Sequence, residues 1–335
     1  MTQHDTKQTI LILGAHGRVG TAAAQAFLAA GWRVKGLARG AKAKSLPAGV
    51  EPVEADAFDA GALTEAARGV DVILHALNPK YTEWRETVLP MTENVIAAAK
   101  ASDATILVPG NVYNFGYAIP LDADERARRV PSTEKAEIRI ALEDSLQQAA
   151  MRDGVQSLVL RAGDFFGGTQ PESWLDLIIL KSLKRDRFTW GGPRNIPHSF
   201  AYLPDLARAF VALAEKRRDL PAFDTFHFRG HVLSGEQMKA ATERVVGRSL
   251  KWGSVNWTLI RLLGLFAPML REIATMSYLW RTPHSLANGK LTALIGEEPH
   301  TPLEAAMRQA IADLRLDRAQ PAAPEHRAGT MLAAE

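Results

Sequence analysis

The sequence predicts an α/β protein, a Rossmann-type doubly wound parallel sheet with a smaller C-terminal substrate lobe. Three observations carry that prediction. From Thr9 onward, short Val/Ile/Leu-rich runs alternate with stretches of helical periodicity, the rhythm of βαβ units. Most of the runs are continuously apolar, as strands covered on both faces must be. A glycine-rich turn, Gly14 to Gly20, joins the first run to the first helical stretch.

The elements follow in order. Strands are expected at Thr9–Leu13, Arg33–Ala38, Val50–Ala55, Val70–Ala76, Ala104–Val108 and Ser157–Arg161. Helices are expected at Val19–Ala30, Ala60–Ala67, Glu83–Ala101 and Ser132–Met151, with Gly31 and Gly154 placed where C-terminal caps belong. After Gly168 the rhythm loosens, with a Pro/Gly-rich patch at Gly191–Pro197 and helical patterns at Pro204–Lys216 and Ser234–Val246. The expected organisation is a dinucleotide-binding domain over 1–168, to which segments near 198–230 return, then a lobe over 169–318. A flexible Ala- and Pro-rich tail is expected over 319–335.

Composition narrows the function classes. At about 150 residues per domain, 335 residues suggest two domains or one with a sizeable appendage. The chain has no cysteine, which excludes disulfides, thiolate nucleophiles and Cys-held zinc or iron–sulfur clusters and fits a reducing compartment. Met1–Gln8 is polar and carries no apolar leader, so a cytoplasmic address is expected. The net charge of +3 is spread along the chain without a basic block, so no nucleic-acid partner is implied. The most apolar stretch, Trp257–Leu270, is broken by Arg261 and Pro268 and falls short of the ~20 residues that span a bilayer. As an amphipathic surface helix it lacks a lysine-rich polar face. The histidines are scattered, and His227 and His231 fall in a strand-to-turn context, so no metal site is expected. Neither a Walker loop nor a Gly-x-Ser-x-Gly elbow is present.

The strongest motif is Gly14-Ala15-His16-Gly17-Arg18-Val19-Gly20. Gly14 permits the tight turn, Gly17 leaves the backbone bare for a pyrophosphate, and Gly20 lets helix and sheet approach. Free N–H groups and the helix dipole then favour an anion at that point. The motif points to a nicotinamide dinucleotide.

The Gly-x-x-Gly-x-x-Gly spacing resembles that of the extended and atypical short-chain dehydrogenase/reductases. Further matches are Ala55-Asp56-Ala57, His75-Ala76-Leu77-Asn78, Asn111-Val112-Tyr113 and Leu160-Arg161-Ala162-Gly163-Asp164-Phe165-Phe166-Gly167. The resemblance covers about residues 9–220. It implies that Asp56 and Ala57 lie at the adenine, and that Ala76, Leu77 and Asn78 run along the ribose and nicotinamide. It also implies a homodimer through the helices at Glu83–Ala101 and Ser132–Met151, and a C-terminal region that shapes the pocket for a small-molecule substrate.

Arg39 stands nineteen residues after Gly20, where an acid would hold the ribose hydroxyls of NAD. A guanidinium there would pair with a 2′-phosphate, which favours NADP(H) over NAD(H); the alternative is a solvated loop arginine, a reading that Arg18 and Lys42 share. Family reductases carry Tyr-x-x-x-Lys, in which the lysine holds the nicotinamide ribose and lowers the tyrosine's pKa. Here Lys135 keeps the lysine, Pro131 occupies the tyrosine position, and Pro109 stands where a serine or threonine is expected. Lys135 is read either as a ribose contact or as a surface lysine between Glu134 and Glu137. Tyr113, at the carboxyl edge of the fifth strand, is the candidate substitute acid, with packing as its plain alternative.

Asp164, Phe166, His198 and Tyr202 are candidate pocket residues: the Phe165–Phe166 pair to wall the nicotinamide, Asp164 to orient or cap its loop, and His198 or Tyr202 to face the substrate. These readings imply an oxidoreductase or epimerase-like enzyme acting on a small, carbonyl-containing molecule. The rival is an NADP(H)-sensing regulator that has lost turnover.

Overall fold

The structure, a computed structural model, describes residues 7–38, 40 and 45–318. Arg39 and the expected tail at 319–335 lie outside the described residues. The first six strands are β1 (Thr9–Leu13), β2 (Arg33–Ala38), β3 (Glu51–Glu54), β4 (Val72–His75), β5 (Thr105–Asn111) and β6 (Ser157–Ala162). The helices among them are α1 (Arg18–Ala29), α2 (Ala60–Ala66), α3 (Trp84–Ser102) and α4 (Glu134–Asp153). Strand side chains alternate between two cores, as the two-residue period of a strand requires. Leu11, Leu13, Ile73, Ile106 and Val159 join α2, α3 and α4 on one face, while Ile10, Ile12, Leu74, Leu107 and Leu158 face α1 on the other.

Later elements are β7 (Asp164–Phe166), β8 (Arg187–Trp190), β9 (His198–Tyr202), α5 (Leu203–Lys216), β10 (Phe223–His227), β11 (His231–Leu233), α6 (Gly235–Val246) and β12 (Lys251–Ser254). They end with α7 (Trp257–Leu263), α8 (Pro268–Thr275), α9 (Gly289–Ile295) and α10 (Leu303–Asp313). The main sheet has seven strands in the order β10-β6-β5-β4-β1-β2-β3, and its pairings are parallel. Helix α5 returns to pack beside α1, where Ala22, Ala23 and Ala24 keep the contact close. The second lobe builds its own core from Phe166, Phe188, Trp190, Phe200, Met238, Trp257 and Trp280. Two small sheets serve it, β11-β9-β7 and β12-β8.

Most boundaries agree with the sequence reading to within two residues, and the exceptions have physical causes. Strand β5 continues past Val108 through Pro109 and Gly110, although such a pair ordinarily ends a strand. Gly110 lies against the Arg161 side chain, 2.6 Å from where a Cβ would sit, so the glycine makes room for a buried arginine on β6. Helix α4 begins at Glu134 because the Thr133 hydroxyl accepts the Ala136 N–H, and it ends at left-handed Gly154. The apolar run at 257–270 is two short helices, since Gly264 and Pro268 turn the chain back on itself.

Candidate active site

Strand order reverses between β1 and β4, and a doubly wound sheet opens its ligand crevice at such a point, beyond the carboxyl ends of the strands. The glycine turn sits there. Gly14 has φ +77°, and a Cβ on it would lie 2.8 Å from the Ala76 carbonyl oxygen. A Cβ on Gly20 would lie 2.3 Å from the Gly14 oxygen, so the start of α1 presses directly onto the turn. Gly17 is exposed and caps α1 without any side chain on the helix's first N–H groups, and no acid stands in the first turn. A bare helix start with these glycines fits a dinucleotide diphosphate.

The neighbouring residues occupy the same edge. His16 and Val19 are half-buried, and Val19 leans on the α1 core. Arg18 is not a solvated loop arginine, which corrects that reading: its Nη2 donates to the Phe165 carbonyl at 3.1 Å. Burial lowers its pKa to about 10 against the pull of Asp176, Asp164 and Glu172. Its Nε is buried with no hydrogen-bond partner among the described residues. Asp56 receives the Phe58 N–H at 3.1 Å, and the Ala57 carbonyl receives Asn94 Nδ2 at 2.9 Å. Ala76 and Leu77 are half-buried against Gly14, and Asn78 is exposed.

At the ends of β4 and β5 the structure assembles a group that sequence reasoning found only in part. The Tyr113 hydroxyl lies 3.0 Å from that of Tyr81, which belongs to the short turn before α3. Burial pushes both phenols above their ordinary range, Tyr113 the further, with Tyr81 and Asp164 adding to it. Lys135 is enclosed, so its reading as a surface lysine is corrected: it is ion-paired to Glu272 of α8 and lies 4.9 Å from the centre of the Tyr81 ring. One helical turn on, Arg139 lies 4.9 Å from the Trp84 ring centre, with a buried Nε that has no partner among the described residues. Burial lowers the pKa of Arg139, and its charge is felt by Tyr81 and by His75 at the end of β4. His75 donates from Nε2 to Thr92 Oγ1 at 3.1 Å, because that hydroxyl already donates to Val88.

On the β6 side, Asp164 and His198 are both buried, and His198 Nε2 donates to Asp164 Oδ2 at 2.7 Å. The His284 ring stands 4.3 Å from that of His198 and donates from Nδ1 to the Thr282 carbonyl, leaving Nε2 without a partner among the described residues. The Tyr278 hydroxyl is likewise buried and unpartnered, and burial together with Tyr117 and Asp164 raises its pKa. Phe166 is enclosed between Phe200, Tyr202 and His231 in the second-lobe core. Tyr202 shares that core, and burial raises its pKa to about 12.

Residues 14–153 match the family model described as NAD(P)H-binding. They form an NAD(P)H-binding domain. Over 181 residues the chain is 28% identical to dTDP-6-deoxy-L-talose 4-dehydrogenase (NAD(P)(+)) of Kitasatospora kifunensis, a match covering 50% of the chain. The chain spans about half, 56%, of that relative's length. Among solved structures, UDP-glucose 4-epimerase of Thermotoga maritima with UDP-glucose superposes at a TM-score of 0.74 and 14% identity, covering 92% of this chain and 99% of that one. UDP-glucuronic acid 4-epimerase of Bacillus cereus in complex with NAD gives 0.73 and 15%, with the same coverage. Likeness at these identities is likeness of fold, and it extends beyond the NAD(P)H-binding domain through the second lobe. The resemblance to short-chain dehydrogenase/reductases read from the sequence is thus borne out.

Proposed function

We propose that the chain is an NADP(H)-dependent oxidoreductase of the epimerase/dehydrogenase type, acting on a small carbonyl-bearing substrate, with Tyr113 as its proton donor. The hydroxyl pair of Tyr113 and Tyr81, 3.0 Å apart just past the ends of β5 and β4, carries this reading. When bound, the nicotinamide supplies or accepts the hydride.

The chain's own residues supply the rest. Tyr113 is a neutral phenol at neutral pH and can hand a proton to an oxygen that gains negative charge; burial raises its pKa and so weakens it as an acid, and the Tyr81 hydroxyl is the partner placed to offset this. Tyr81 receives or replaces that proton across their shared hydrogen bond. Arg139, beside the end of β4 and with a buried Nε that has no hydrogen-bond partner among the described residues, is the cation placed to hold the nicotinamide ribose, a role Lys135 cannot fill while Glu272 engages it. The printed activity of the sequence relative, an NAD(P)(+)-dependent talose 4-dehydrogenase, supports the same chemistry.

The test is NADPH oxidation against a panel of aldehydes, ketones and keto-sugars. Tyr113→Phe is expected to cut kcat about 10²- to 10⁴-fold with NADPH affinity kept. Arg139→Gln should weaken NADPH binding as well as turnover. Full activity in Tyr113→Phe, or no oxidation of NADPH by any carbonyl despite tight coenzyme binding, would overturn the proposal.

A further inference from the structure

The hairpin of α7 and α8 carries a cluster of apolar side chains in water. Leu259, Leu262, Leu263, Leu265, Phe266 and Met269 are all exposed, Phe266 at 89% and Leu265 at 72%. Single exposed apolar residues are ordinary, whereas a contiguous group on one protrusion marks a contact surface.

The hairpin is held rigidly. At its base the Trp257 indole N–H donates to the Gly191 carbonyl at 2.5 Å, and Glu272 is tied to Lys135. At the elbow Gly264 lies so close to Arg271 that a Cβ would meet its Cα at 2.9 Å, and the Ala267 N–H bonds to the Leu263 carbonyl at 3.0 Å. In this arrangement the apolar tip is presented to solvent.

Charge selects the partner. Arg261 and Arg271 stand exposed on the shoulders of the tip, and the one acid between Asn256 and Thr275, Glu272, is turned inward onto Lys135. An apolar tip rimmed by cations complements acyl chains beneath a layer of phosphates. We propose that the α7–α8 tip docks the protein on an anionic lipid bilayer, inserting Leu262, Leu265 and Phe266 below the headgroups with Arg261 and Arg271 among them. The same α8 reaches Lys135 in the candidate active site, so the docked lipid lies one helix from the chemistry.

The full chain is mixed with phosphatidylcholine vesicles with and without phosphatidylglycerol and recovered by flotation. Binding is expected to the anionic vesicles and to weaken steeply with salt. Leu265→Asp with Phe266→Asp should reduce it about a hundredfold or more, and Arg261→Gln with Arg271→Gln on the order of tenfold, with NADPH affinity unchanged as the control of folding. The proposal is overturned if neither vesicle is bound or if the tip substitutions leave binding intact. It is equally overturned if light scattering shows that those substitutions turn an oligomer into a monomer, since a second copy would then cover the tip.

Discussion

Substituting Glu143 by alanine should unfold this protein more readily than almost any surface change. Glu143 and Arg161 are buried, each side chain at 4% exposure, and they meet through Nη2 to Oε2 at 2.6 Å and Nε to Oε1 at 3.2 Å. Glu143 Oε1 also accepts from Asn114 Nδ2 at 2.8 Å, which fixes the segment that carries Tyr113. Removing the carboxylate leaves the guanidinium, among the described residues, with His227 Nε2 at 3.3 Å and the Phe115 ring beside it. An uncompensated buried charge costs about 3–5 kcal/mol, a large part of the roughly 5–15 kcal/mol that holds a domain folded. With a urea slope of about 3 kcal/mol per M, the midpoint should fall by about 1 M or more. The assay is urea denaturation followed by tryptophan fluorescence and far-UV circular dichroism. Glu143→Leu combined with Arg161→Met should recover most of the loss, because no lone charge remains. A cost for Glu143→Ala below about 1 kcal/mol, the range of an exposed pair, would refute the argument from burial.

Other outcomes follow from the same structure. Gly20→Ala drives a methyl into the Gly14 carbonyl and should weaken coenzyme binding about tenfold or more by calorimetry, despite alanine's better helix propensity. Arg39→Ala should weaken NADPH binding by about 1.5–3 kcal/mol and leave NADH binding nearly unchanged; equal losses would remove the argument for NADP(H). His75 and His284 are held near 3 and His227 near 4, mainly by burial, against 6.5 when unfolded. The unfolded chain therefore binds more protons as pH falls below about 6.5. Stability should drop by up to about 1.4 kcal/mol per pH unit for each histidine down to its folded value, and thermal melts that stay flat from pH 7 to 4 would contradict this. The raised Tyr113 phenol should keep carbonyl reduction level through neutral pH, with loss only in strong alkali; a fall in activity already near neutrality would point to another acid.

The sheet was readable because its strands are continuous apolar runs and its helices end at Gly31 and Gly154, local signals that tertiary packing reinforces. Strands β7 to β12 were not among those expected; of these, Arg187-Phe-Thr-Trp190 and Lys251-Trp-Gly-Ser254 are short, mixed runs that gain strand form by pairing with each other. Tyr113 was found from its place at a strand end, and Lys135 from the half of the Tyr-x-x-x-Lys pattern that the chain keeps. Tyr81 and Arg139 were not, because their meeting with Tyr113 depends on how α3 and α4 pack. The one available signal was the i,i+4 spacing of Lys135 and Arg139, which puts two cations on one face of α4. His198 looks solitary in the sequence since its partner Asp164 is on another strand, brought close by the β7–β9 pairing.

Strand β10 completes the main sheet only after the chain has passed through β8, β9 and α5. During synthesis, β6 with Leu158, Val159 and Leu160 must wait as a bare edge until residue 227 has left the ribosome. Fragments cut near residue 170, where the sequence rhythm changes, would keep that edge open and should aggregate by strand pairing. The shortest stretch able to bury its own sheet therefore reaches past His227, and the core of the second lobe is assembled from chain on both sides of β10, with Phe188 and Trp190 before it and Met238, Trp257 and Trp280 after it.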